Sequence, residues 1–86
     1  MITAESIQQH LLDNLDISEA LVKFEGGHAN ITVVGDLFAE LSRVKKQQLV
    51  YAPLKPWIAS GELHAVSIRT FTPTEWQREK KLALLS

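Results

Sequence analysis

Hydrophobic positions change their spacing several times along the 86 residues, and each change predicts a new element. Near the N-terminus the apolar residues recur at helical spacing, and Thr3 stands before them as a candidate N-cap. His10 lies on the polar side of this helix, so we expect a solvated histidine without a role there. The apolar positions of the predicted helix are Ile7, Leu11, Leu12 and Leu15.

A two-residue alternation of apolar and polar positions follows from Ser18 onward. Ala20, Val22 and Phe24 alternate with other residues up to Gly26-Gly27, and the alternation resumes over Ile31–Val34. Two such runs across a Gly-Gly loop predict an antiparallel hairpin. His28 follows the glycines directly and, taken alone, is typical of an exposed loop histidine.

Residues 37–60 return to helical spacing after an apolar patch of Leu37, Phe38 and Leu41. Ser42 is the predicted N-cap of a helix over 43–51, and Pro53 is expected in the first turn of a second helix that Gly61 ends. Two short helices at a proline-marked turn predict a helix-turn-helix. The first helix offers Val44, Tyr51 and either Leu49 or Gln48 to the core, and the second offers Leu54, Trp57 and Ile58.

A third alternating run, His64–Ile68, predicts a strand, and Thr72-Pro73-Thr74-Glu75 predicts the capped start of a last helix. The crossover from the second strand to the third is long and helical, which predicts parallel, right-handed pairing. His28 and His64 would then lie at one edge of the sheet, on strands about 4.8 Å apart. Two neutral imidazoles make half of a metal coordination shell, and a partner would have to supply the rest.

Composition limits the remaining possibilities. The length predicts a single domain over residues 1–86, and an apolar fraction of 45% is enough for a small core. The absence of cysteine excludes disulfides and thiolate ligands from this chain. We find neither a signal peptide nor a membrane span and expect a cytoplasmic protein.

Charge is divided unevenly between the two halves of the chain. Residues 1–42 hold seven acidic residues and one basic residue, whereas residues 43–86 hold eight basic residues and three acidic ones. Arg43, Lys45 and Lys46 open the predicted helix over 43–51 and are candidate contacts for phosphate or for an acidic protein partner. A solvated charged face is the commoner reason for such a pattern.

Two blocks, SRVKKQQLVY (Ser42–Tyr51) and LHAVSIRTFTPTEW (Leu63–Trp76), resemble the BolA family, and the overall layout is most similar to its IbaG (YrbA) branch. The blocks combine a basic helix start, a histidine at the start of a strand and a Thr-Pro capping box. The resemblance implies an α+β fold of order αββααβα. It also implies a three-stranded mixed sheet with helices packed on one face and a topology similar to class II KH domains.

The same resemblance implies a non-enzymatic adaptor of iron–sulfur cluster trafficking. Family members pair with monothiol glutaredoxins and share a [2Fe–2S] cluster, with a cysteine and bound glutathione on the glutaredoxin side. The family's two ligand positions fall on His64 and His28. Because imidazole must be neutral to bind iron, acidification is expected to weaken cluster binding.

Nucleic-acid binding is the alternative function, since some family members are described as transcription regulators. A KH domain grips nucleic acid with a GxxG loop, and this chain has Ala52-Pro53-Leu54-Lys55 at that place. DNA binding through the predicted helix-turn-helix and its basic residues therefore ranks second. The sequence contains no recognised catalytic motif, and we expect a monomer or weak homodimer without membrane contact.

Overall fold

The computed structural model describes residues 2–85, with side chains through residue 82. The order of the helices and strands is αββααβα, which confirms the prediction. Short 3₁₀ segments at Asp36–Glu40 and Ala52–Leu54 lie in the crossover. The helices are α1 (Ala4–Asn14), α2 (Arg43–Tyr51), α3 (Lys55–Ser60) and α4 (Pro73–Leu85), and the strands are β1 (Glu19–Glu25), β2 (His28–Val34) and β3 (Ala65–Phe71).

The three strands form one mixed sheet in the order β1-β2-β3. Strand β1 runs antiparallel to β2, and β2 runs parallel to β3, so both predicted pairings are confirmed. The turn between β1 and β2 consists of Gly26 and Gly27, with φ angles of 58° and 79°. Two successive residues at positive φ are what the tightest hairpin turns require, and glycine adopts them without a steric penalty.

Helices α1, α2 and α3 cover one face of the sheet. The central strand turns Ala29, Ile31 and Val33 toward them, and all three residues are buried. The rest of the core comes from α1, α2, the two 3₁₀ segments and the segment before β3, and it includes Ile7, Leu11, Val50, Phe38, Leu54 and Leu63. In the part of the chain that the structure describes, no helix has the length and apolar character that crossing a bilayer requires.

The opposite face of the sheet is open over most of its area, and we call it the open face. Strand alternation places Lys23, Asn30 and Ser67 on it, and all three are exposed. Helix α4 reaches this face only near the end of β3. There Glu79 pairs with Arg69 at 3.2 Å, and the ring of Trp76 lies 5.3 Å from that of Phe71.

Three predicted N-caps are present in the structure. Thr3 forms a capping box with Ser6, the Ser42 hydroxyl accepts the N–H of Lys45, and Thr72 and Glu75 exchange hydrogen bonds. Each cap satisfies an N–H group that the first helical turn leaves without an intrahelical partner. Local sequence therefore determines where these helices begin.

The prediction for the buried face of α2 was wrong for Val44 and Tyr51 and right for Leu49, which packs against the core. Val44 is 63% exposed and Tyr51 is 38% exposed, whereas Val50 is completely buried. Val44 and Tyr51 are seven residues apart and share one face of a helix, and Val50 lies about 100° away from Tyr51. The helix is rotated so that Leu49 and Val50 meet the core. A nine-residue, mostly polar helix contains too few apolar residues to specify that rotation.

A helix-turn-helix between β2 and β3 is not evident. Tyr51, Ala52 and Lys55 all have right-handed helical angles, so α2 continues through Ala52–Leu54 into α3 without an intervening turn. Pro53 lies in this 3₁₀ segment instead of in the first turn of an α-helix. Proline lacks the N–H of an i→i−4 bond, so a tighter local winding at this point is physically reasonable.

Candidate metal-ligating histidine site

The parallel pairing of β2 and β3 brings His28 and His64 to one edge of the sheet. His28 is paired with Ala65, and His64 immediately precedes Ala65 in the chain. The expectation that both histidines lie at the starts of neighbouring strands is therefore confirmed. Their exact positions differ from the prediction, because His28 is the first residue of β2 and not a loop residue, while His64 lies just before β3.

His64 is held against the glycine turn. Its backbone N–H donates a hydrogen bond to the carbonyl oxygen of Gly27 at 2.8 Å. Its ring lies so close to Gly27 that an added Cβ there would be 2.5 Å from Cδ2 and 3.1 Å from Cγ of His64. Real Cβ atoms essentially never come as near as 2.5 Å. Glycine at position 27 thus permits both the turn and the observed place of the imidazole.

His28 lies on the open face, beside β3. Its Nε2 atom is 3.3 Å from the hydroxyl oxygen of Ser67, a long but permitted hydrogen bond. An open hollow of about 280 Å³ borders the ring and is also lined by Lys23, Glu25 and Asn30. His28 and His64 are both exposed. A partner molecule can therefore approach either ring without rearrangement of the core.

The two histidines form only part of a coordination shell. Across residues 2–85, no three side chains of the histidine, cysteine, aspartate or glutamate type come together as a metal site. Neutral imidazole nitrogen is a good ligand for iron, zinc and copper. The donor set of this chain is consistent with a metal or cluster whose remaining ligands belong to another molecule.

The basic residues at the start of α2 occupy a different region. Arg43 and Lys46 line an open groove of about 450 Å³ that runs along residues 68–71 of β3. Lys45 is exposed on the same helical turn. The groove adjoins the C-terminal half of β3, whereas the histidines lie at its N-terminal end. The structure therefore separates the basic residues from the histidine pair.

The expectation of a solvated His10 was wrong. Its Nε2–H donates to the carbonyl oxygen of Pro53 at 2.8 Å, and its ring centroid lies 4.7 Å from that of Trp57. The residue is half-buried and connects α1 to the segment before α3. The sequence did contain a sign that His10 would be partly buried. His10 follows the buried Ile7 by three residues, and a residue at that spacing borders the apolar stripe of a helix.

Comparison with known proteins agrees with the fold. The acid stress protein IbaG of Escherichia coli K12 is 49% identical to this chain over 76 residues, which are 88% of this chain and 90% of that protein. A bolA protein homologue from Coxiella burnetii has a similar structure, with a TM-score of 0.77 and 28% sequence identity. That comparison covers 90% of this chain and 99% of the homologue.

The BolA domain of SufE1 from Arabidopsis thaliana is also similar, with a TM-score of 0.72 and 33% identity. That comparison covers 84% of this chain and 93% of the plant domain. The BolA-like protein family itself matches residues 2–75 and so includes both histidines. The resemblance noted in the sequence is confirmed, and this chain belongs to the BolA-like protein family.

Proposed function

We propose that this protein is a non-enzymatic adaptor of iron–sulfur cluster trafficking that binds a [2Fe–2S] cluster jointly with a monothiol glutaredoxin. The observation that carries the proposal is the placement of His28 and His64 beside each other at the starts of two parallel strands. Both imidazoles are exposed at this edge of the sheet. Such an arrangement suits a cargo that is held between two proteins.

The chemistry of the donors supports the proposal. This chain contains no cysteine, so it can offer a cluster no thiolate ligand. Histidine replaces thiolate on one iron of Rieske centres and raises the reduction potential of the cluster. His28 and His64 would serve one side of the cluster, and the glutaredoxin cysteine with its bound glutathione would serve the other, as family membership implies.

Visible absorption and circular dichroism of a glutaredoxin-bound cluster, titrated with this protein, test the proposal. The wild-type chain should change the spectrum, because a histidine ligand alters the charge-transfer bands of iron. His64→Ala should abolish that change, and His28→Ala should abolish or strongly alter it. His10→Ala is the control, since the His10 ring bonds to the Pro53 carbonyl oxygen and, among the described residues, forms no hydrogen bond to either proposed ligand.

Two outcomes would contradict shared ligation. One is an unchanged spectrum when wild-type protein is added, and the other is an equal response from the wild type and His64→Ala. If no complex forms at all, salt-dependent DNA binding through Arg43, Lys45 and Lys46 becomes the function to test. In that case the logarithm of the affinity should fall linearly with the logarithm of the salt concentration, with a slope proportional to the number of phosphates contacted.

A further inference from the structure

Ser67 is a hydrogen-bond partner of the His28 ring. It lies on β3, two residues after the Ala65 that pairs with His28, so the two side chains are diagonal neighbours on the open face. The Ser67 hydroxyl oxygen is 3.3 Å from Nε2 of His28. Among the contacts of the described residues, the other ring nitrogen of His28, Nδ1, has no hydrogen-bond partner.

We propose that Ser67 is a positioning residue that holds the proton of His28 on Nε2, so that Nδ1 is the ligating atom. The identity of the metal rests on the proposed function, whereas the hydrogen bond does not. Metal-ligating histidines almost always donate their other ring N–H to an oxygen, which fixes both the tautomer and the ring orientation. With Nε2–H donated to Ser67, the lone pair of Nδ1 is free for iron, and ligation displaces no proton.

The strand pairing makes Ser67 a suitable anchor. Ser67 is paired with Asn30 across the parallel ladder, inside a run of seven consecutive paired positions, so its backbone is held in a fixed register beside β2. His64 has a different support, because its ring fills the space that a Cβ at Gly27 would occupy. The two proposed ligands are therefore oriented independently, one by a hydroxyl and the other by the shape of the turn.

The opposite proton arrangement makes the inference testable. If the Ser67 hydroxyl donated to Nε2, the proton of the neutral ring would lie on Nδ1, and that nitrogen could not ligate iron without losing it. The distance between Nε2 and the hydroxyl oxygen is compatible with both arrangements. The position of one proton therefore decides between them.

Long-range ¹H–¹⁵N correlation spectra can locate that proton. The isolated chain is labelled with ¹⁵N-histidine, and the spectra are recorded at about pH 8, above the usual imidazole pKa. We expect the Nε2–H tautomer of His28 in the wild type. Ser67→Ala should shift the tautomer ratio by about two- to tenfold, which is the range for loss of one hydrogen bond. Ser67→Thr should restore the ratio, because it keeps the hydroxyl and suits a strand.

Thr32→Val is the matched control, since Thr32 lies on the open face and forms no hydrogen bond to a histidine among the described contacts. A dominant Nδ1–H tautomer in the wild type would overturn the inference. So would an unchanged tautomer ratio in Ser67→Ala. Both results are obtained without a metal or a partner, so they stand whether or not the chain binds a cluster.

The cluster complex gives a second, separable measurement. Histidine labelled with ¹⁵N only at Nδ1 should produce a ¹⁵N hyperfine coupling in the reduced complex, and this coupling should weaken or disappear in His28→Ala. If the coupled nitrogen of His28 is Nε2, the positioning role of Ser67 is wrong while shared ligation stands. If neither histidine couples, in samples labelled at Nδ1 or at Nε2, the proposed function is wrong, and the tautomer measurement still decides the role of Ser67.

Discussion

The imidazole of His64 occupies the space that a side chain at Gly27 would need. The Cδ2 atom of His64 lies 2.5 Å from the place of an ideal Cβ on Gly27, and the Gly27 carbonyl accepts the His64 backbone N–H at 2.8 Å. Gly27 also has a φ angle of 79°, which side chains disfavour. The hairpin turn and the histidine at the start of β3 therefore depend on each other.

We predict that Gly27→Ala destabilises the protein and displaces the His64 ring. A left-handed conformation costs an alanine about 1–2 kcal/mol, and the contact with His64 adds to this cost. Gly26→Ala is the matched control, because Gly26 has a φ angle of 58° with open space around its missing Cβ. Urea denaturation and the ring chemical shifts of His64 check the expectation.

The comparison of the two alanine variants separates the backbone effect from the steric one. Gly26→Ala should lose about 1–2 kcal/mol and leave the His64 shifts unchanged. Gly27→Ala should lose more and should also weaken the proposed cluster complex. Equal stability losses in both variants, with unchanged His64 shifts, would show that the ring does not need the space above Gly27.

The sequence was enough to predict that His28 and His64 lie at the same edge of the sheet, because this placement depends only on the topology. A long helical crossover implies parallel strands, and parallel strands bring their starting residues together. Contacts such as that between His28 and Ser67 depend on the register of the pairing and on side-chain rotamers, which no periodicity encodes. The early start of β2 was missed because His28 and Asn30 face solvent and Ala29 is small, so the alternation there is weak.

The rotation of α2 about its axis gives a second prediction. Val50→Ala should lower the free energy of unfolding by about 2–3 kcal/mol, since it removes two buried carbon atoms and leaves a cavity. Val44→Ala should change it by no more than about 0.5 kcal/mol, because Val44 is 63% exposed. The two variants make the same substitution in one helix, and urea denaturation compares them. Similar losses would mean that α2 packs through the face first predicted from its sequence.

His10 should matter for stability and not for metal binding. His10→Ala removes the hydrogen bond to the Pro53 carbonyl and the contact with Trp57, for an expected loss of about 1–2 kcal/mol. Gln9→Ala is the control on the same helix, because Gln9 is exposed and bonds only to Asp13. Thermal denaturation checks the difference. A His10→Ala variant as stable as Gln9→Ala would indicate that the link between α1 and the Pro53 segment contributes nothing.

The start of α4 gives the protein a stability that depends on pH. The hydrogen bond from the Thr72 backbone N–H, at 2.8 Å, is the largest cause that lowers the pKa of Glu75. Desolvation is the second-largest cause and raises the pKa, whereas the Thr72 hydroxyl and the cations Lys46 and Arg78 lower it further. Because the folded pKa lies below the unfolded value, the ionised carboxylate stabilises the folded state.

Because the pKa of Glu75 is lower in the folded state than in the unfolded state, the contribution of Glu75 to stability should change in the acidic pH range. The contribution of ionised Glu75 should be complete above the unfolded glutamate pKa of about 4.3 and should be lost as the pH falls through the lower folded pKa. Glu75→Gln keeps an acceptor for the Thr72 N–H but cannot ionise, so it lacks this pH dependence. Urea denaturation of both proteins from about pH 7 to pH 3 should therefore show a wild-type advantage that shrinks toward acid. A difference that stays constant over this range would mean that the charge of Glu75 does not strengthen the cap.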